Sequence, residues 1–223
     1  ENVVEFAPTW SPDGQWLAYT TWSDATGEGH VQRVRAQPGS RPQRVSNAPA
    51  LYQGPAFSLD GARNIVTRSP AESYLDATTR GASDFVWFPS AGGAATFMTS
   101  TNGFGNPHFR ADSPDRIYVY GRGRLATMRW DGTDIRDVVT VRGPSAGSGQ
   151  GPNASVIMMA PTGDRALAQV NNDVWVVTVP VIGGEAPQIT LGTTPNFPAR
   201  MLTDIGGQFP TWSADGSKVH YSI

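Results

Sequence analysis

Cysteine is absent from this 223-residue chain. That excludes a disulfide framework, cysteine-ligated zinc and thiol catalysis, and it leaves the compartment open. Long apolar runs are missing too. None approaches the ~20 residues of a membrane-spanning helix, so no membrane insertion is expected, and no stretch carries the pattern of a long amphipathic helix. Concentrated positive charge is lacking: the net charge is −2 and the Arg residues are scattered. A nucleic-acid partner, which needs a clustered basic face, is therefore not expected. Histidine is scarce, with His30, His108 and His220 the only three.

What the chain has in plenty is turn chemistry. Gly (25) and Pro (18) together approach a fifth of the residues, natural for a protein of many tight turns. One phrase recurs. It opens as Trp10-Ser11-Pro12-Asp13-Gly14, returns as Phe57-Ser58-Leu59-Asp60-Gly61 and closes as Trp212-Ser213-Ala214-Asp215-Gly216, with worn copies starting at Phe109 and Met159. The start points 10, 57, 109, 159 and 212 are 47, 52, 50 and 53 residues apart. A fixed period near fifty means one structural unit repeated.

The unit reads as strands. In the first, a strand leads into the turn, where Pro12 presets φ, Asp13 accepts a hydrogen bond from backbone two residues on and Gly14 takes positive φ. The aromatic before the turn is expected to pack inward. Residues 15–20 then alternate as a half-buried strand, a third strand lies near residues 30–34 and a fourth near 43–45. Later units keep the plan, with outer strands expected at 95–98, 136–139 and 188–190, and an insertion at 193–199. Four-stranded antiparallel sheets repeated at this period make an all-β fold, a β-propeller. The expected blades cover residues 5–47, 50–100, 103–142 and 152–203, with a partial fifth at 206–223, all in one domain spanning 1–223. Four full repeats and half a fifth imply an open arc or a five-bladed ring, and a fragment of something longer. Residues 1–6 are expected to be able to complete the last blade beside residue 223.

The stretches Pro8 to Tyr19 and Pro210 to Tyr221 resemble the WD-like repeat of TolB-type propellers. Such repeats also occur in the propellers of prolyl-oligopeptidase-like peptidases and at the N-terminus of some bacterial amidohydrolases. Asn106-Pro107-His108-Phe109 with residues 115–118, and residues 128–134, are most similar to the amidohydrolase-associated version. The resemblance implies a non-catalytic propeller domain of a larger bacterial, metal-dependent amidohydrolase, periplasmic or secreted. Its work would be docking, or control of access to a neighbouring catalytic domain. The alternatives are a periplasmic TolB-type module that binds a protein or ligand, and a small standalone hydrolase or lyase with a channel site. The match at residues 128–134 implies a strand and turn that report on a neighbouring domain.

No catalytic or metal-binding residue and no cofactor is expected. The three His residues fall on strands of different order in their blades, so they should not converge on a metal. The recurrent Asp13, Asp60, Asp112 and Asp215 read as turn stabilisers rather than paired acids. Residues 147–151 (Gly-Ser-Gly-Gln-Gly) lack a nucleophile elbow's strand-to-helix setting and a phosphate loop's Gly-Lys-Ser/Thr ending. Residues 153–155 match a glycosylation acceptor only in pattern. The candidate binding residues lie just before each repeat phrase, where loops of a propeller converge on the channel mouth: Tyr52, Gln53, Asn106, His108 and Gln208, with Asn153 and Ser155 in the fourth unit.

Overall fold

The computed structural model describes residues 3–74, 83–145, 149–180, 183–192 and 194–223. The expected loop at 147–151, the start of the 193–199 insertion and the first two of residues 1–6 thus fall outside the described residues in part or whole. Apart from one turn of 3-10 helix, Ala71–Tyr74, all regular structure among the described residues is β. The chain forms two compact units, residues 1–109 with 130–133, and residues 110–129 with 134–223.

In the first unit, β1 (Val3–Trp10), β2 (Trp16–Ser23), β3 (Glu28–Arg35) and β4 (Gln43–Arg44) form one antiparallel meander. Strands β5 (Leu51–Phe57), β6 (Arg63–Ser69), β7 (Asp84–Pro89) and β8 (Thr96–Ser100) form the next. Strand β9 (Gly105–His108), the first of the third repeat, packs near β5. These meanders are the predicted blades. Val3–Phe6 pair with Thr20–Ser23 inside the first blade, as part of its first strand.

The turns form as the sequence dictates. Ser11 Oγ donates to Asp13 Oδ1 at 2.5 Å, Gln15 N–H donates to the same oxygen at 3.0 Å, and Trp16 N–H donates to Ser11 Oγ at 2.9 Å. Gly14 sits at φ 67°. Ser58, Asp60, Ala62 and Arg63 repeat the pattern, as do Ser213, Asp215, Ser217 and Lys218. Each carboxylate satisfies backbone that would otherwise be unpaired at the corner.

Stacking sets the burial. Strand β2 is expected to be half-buried, yet residues 18–23 are buried throughout; the strand is paired on both edges, with β1 and β3, and packs on β5. Val31, Val45, Tyr52, Val66, Val86 and Phe88 form the inter-blade core of this unit, each burial contributing roughly 1.5–3 kcal/mol. Trp10 departs from the expected inward packing and is 61% exposed, since it lies on the first strand, with no earlier blade in its unit to cover it. Its counterpart Phe57 is 6% exposed.

In the second unit, β10 (Arg116–Gly121), β11 (Arg124–Arg129) and β12 (Arg136–Arg142) run antiparallel. Strands β13 (Val156–Met159), β14 (Arg165–Val170) and β15 (Asp173–Thr178) follow in the same manner. The structure departs from the sequence reading at β16 (Gln188–Thr190), expected as the outer strand of the fourth blade. It pairs parallel with β12 instead. The fourth blade is completed by β17 (Ala199–Met201), at the end of the supposed insertion. The exchange caps the open edge of β12 and buries Ile189 and Leu191, 1% and 2% exposed, in the core of this unit; an uncapped edge would leave backbone groups unpaired. The partial fifth blade is the hairpin of β18 (Gln208–Trp212) and β19 (Val219–Ser222).

Candidate functional site

A proline stands two residues before the aromatic of four repeats: Pro8, Pro55, Pro107 and Pro210. Proline has no N–H to give a ladder, so within a sheet it belongs at edges or bulges. The residue before each one adopts left-handed backbone: Ala7 at φ 52°, Gly54 at 58°, Asn106 at 51° and Phe209 at 54°. In β1, β5 and β18 the register slips at this point, so that two residues face one. The fourth repeat has Ile157 in place of the proline, and β13 keeps unbroken register with β14.

A hydroxyl steadies each slipped strand. Thr20 Oγ1 donates to the Phe6 carbonyl (3.1 Å), Thr67 Oγ1 to that of Gln53 (3.2 Å) and Ser222 Oγ to that of Gln208 (3.3 Å). The donor always lies ten residues after the repeat's aromatic. This hydroxyl and the recurrent proline are the sequence signals that would have revealed the bulges.

Three of the left-handed residues, Ala7, Gly54 and Asn106, line one cavity of about 460 Å³ in the first unit, within the size range of small-ligand sites. Phe6 and Gln53 add the residues just before two of the bulges. Thr67 comes from β6, and Ser83, Thr101 and Phe104 from the loops flanking β7 and β8. Thr67 and Thr101 are buried, whereas the Gln53 and Asn106 carboxamides are exposed. No side chain of the lining carries a charge. A neighbouring cavity of about 560 Å³ shares Ser83 and is bordered by the Arg68–Asp84 ion pair at 3.3 Å. In the second unit, a cavity of about 520 Å³ beside the β18–β19 hairpin carries Arg165, Arg200, Trp212 and Tyr221 and includes none of the expected site residues.

The structure brings Gln53 and Asn106 together and sorts the other candidates elsewhere. Tyr52 is 1% exposed, with its ring edge-on to Phe88 at 5.7 Å and its hydroxyl donating to the Ala48 carbonyl at 3.0 Å. Burial pushes its pKa up. Alternation along β5 aims it at the core when its neighbour Gln53 faces the cavity. His108 is half-buried beside the Asn106 carbonyl, with Nδ1 at 3.3 Å, and does not line the cavity. Gln208 is exposed in the second unit. Ser155 pairs with the Gln169 carbonyl through both N–H and Oγ, and Asn153 bridges to Arg142, both of them strand-end roles. His30 is buried against Ser46 Oγ at 3.1 Å, and desolvation, then Arg44, hold its pKa down. Among the described residues no three His, Asp or Glu side chains cluster as metal ligands would.

The carboxylates of the repeat are spent on turns, except Asp112, which pairs with Arg110. The stretch at 128–134 is also engaged within the chain. Asp131 accepts from Thr133 N–H at 2.9 Å, and Asp134 accepts from Arg116 and Arg136, each at 2.7 Å. Trp130 stacks on Phe109 at 5.4 Å and lies under Arg63 at 4.2 Å, which ties residues 130–133 to the first unit.

Solved structures share this architecture. The chain superposes on a TolB candidate from Agrobacterium tumefaciens with TM-score 0.63 and 20% identity, over 98% of this chain and 69% of that one. The fold is TolB-like. An oligogalacturonate lyase in complex with manganese gives 0.58 at 16% identity, over 95% and 56%. The periplasmic gluconolactonase of Pseudomonas aeruginosa gives 0.54 at 13%, over 96% and 63%. The chain thus spans 69%, 56% and 63% of the lengths of these three proteins. No family model and no curated protein matches it.

Proposed function

We propose that this chain is a non-catalytic, TolB-like propeller domain that works by binding, at the cavity between its bulged first strands. The observation that carries this reading is the lining itself: hydroxyls, carboxamides and phenyl rings, with no acid or base to move a proton. General acid–base chemistry needs a titratable side chain within reach of the reacting group, whereas recognition needs only a preformed, desolvated surface with a few fixed polar groups. The cavity favours the TolB-type binding module over the channel enzyme. Docking of a neighbouring catalytic domain, including one of amidohydrolase type, fits the same surface. A periplasmic or secreted setting agrees with the gluconolactonase among the structural neighbours.

The purified chain is expected to be inert towards hydrolase and lyase substrates, with no change on His108→Ala. Turnover that His108→Ala abolishes would overturn the reading. Amide chemical shifts at Gln53, Gly54 and Asn106 are expected to move when the binding partner is added.

A further inference from the structure

The cavity's chemistry narrows its ligand, provided that it is a binding site as proposed above. Gln53 and Asn106 each present a carboxamide that is exposed on the lining and makes no hydrogen bond within the described residues. A carboxamide offers a donor and an acceptor side by side. Its natural complement is a group that accepts and donates at adjacent positions, as neighbouring hydroxyls on a ring do. Thr67 and Thr101 line the same space. The rings of Phe6 and Phe104, both half-buried, supply apolar surface, which suits the C–H face of a sugar ring.

The lining argues against other ligand classes. An anionic ligand would need a cation to offset its desolvation, and no Arg, Lys or His lines the cavity. An extended peptide would add as a strand along a continuous ladder edge. The first strands cannot offer one here, because Pro8, Pro55 and Pro107 remove an N–H at each bulge. Strained backbone persists where surrounding structure over-determines it, and it gathers at ligand sites. Non-glycine Ala7 and Asn106 hold left-handed backbone on this one surface.

We infer that the cavity of the first unit binds a neutral saccharide, a mono- or disaccharide unit without a carboxylate, gripped by the Gln53 and Asn106 carboxamides and seated on Phe6 and Phe104.

The test is an amide-detected NMR titration of the 223-residue chain. The probes are glucose, galactose, N-acetylglucosamine, maltose and cellobiose, each to about 50 mM, a range that detects millimolar affinity. Galacturonate and an uncharged blocked tripeptide serve as comparison arms. At least one neutral sugar is expected to shift the side-chain amide signals of Gln53 and Asn106, with galacturonate weaker by about tenfold or more. Gln53→Ala and Asn106→Gly, the latter keeping the left-handed backbone open to glycine, are each expected to weaken that sugar by roughly tenfold, the scale of one or two lost hydrogen bonds. Both variants should keep the wild-type urea midpoint. Shifts produced by the peptide or by galacturonate but by no neutral sugar would overturn the saccharide assignment and leave the binding reading standing. Silence of the cavity signals towards every probe overturns the saccharide assignment too, and the binding reading then falls if a neighbouring domain or protein partner also leaves them unmoved.

Discussion

At the scale of single residues, the recurrent aspartates govern how the chain meets acid. Hydrogen bonds from Ser11 and Gln15 hold the Asp13 carboxyl below its ordinary value, and Ser58 and Ala62 do the same for Asp60. Ser213 and Ser217 bring Asp215 down to about 2. A carboxyl whose folded pKa is depressed stabilises the fold above its unfolded value of 3.8 and loses that contribution as pH falls through the folded value. The urea midpoint is therefore expected to drop between about pH 4 and pH 2. A triple Asp13→Asn, Asp60→Asn, Asp215→Asn variant, which keeps an acceptor but cannot titrate, should show a flatter profile over that window. An unchanged slope would remove these turns from the acid response. The left-handed positions give a second prediction. Left-handed backbone costs a non-glycine residue roughly 1–2 kcal/mol, partly offset by the extra freedom of glycine in the unfolded chain. Ala7→Gly and Phe209→Gly are expected to match or exceed the wild-type stability, whereas Gly54→Ala should cost about 1 kcal/mol. Chemical denaturation measures all three, and the reverse order would mean that the bulges relax.

At the scale of elements, one repeated strand carries two instructions. The Ser-x-Asp-Gly corner closes the first hairpin of a blade through bonds only two and five residues long. The proline upstream bends the strand that feeds it. The fourth repeat separates the two: it keeps a polar corner, with Thr162 Oγ1 donating to Asp164 Oδ1 at 2.5 Å, yet lacks the proline and keeps a straight β13. Bulging thus follows the proline and not the corner. Strand β16 teaches a different lesson. Three residues with one buried isoleucine suit any open edge, and local pattern does not say which; β12 takes them because its edge is free and a hydrophobic site waits beside it.

At the scale of the whole molecule, stability rests on the cores within each unit. Ile157 is 0% exposed and packs among Leu125, Val139 and Val177 in the second unit. Ile157→Ala is expected to cost about 2–5 kcal/mol, since it removes buried methylenes and leaves a void. Ile205→Ala, at a side chain 81% exposed, should stay within about 0.5 kcal/mol. Urea midpoints for the pair check this, and equal losses would show that burial does not rank these sites. The cavity rests on a different foundation, drawing on strands from three repeats and on the loops that flank them.

The sequence by itself determined the blades, their period and their corners, because a corner is closed by residues two to five apart and needs nothing from the rest of the chain. It also marked Gln53 and Asn106, which stand four and three residues before the aromatic of their repeat phrases. Only the tertiary structure decided that Tyr52 turns into the core beside Phe88, that β16 joins the third blade's sheet, and that Ser83, Thr101 and Phe104 complete the cavity. These outcomes depend on which distant strands lie side by side, and strand pairing over dozens of residues leaves no mark in any local stretch of sequence.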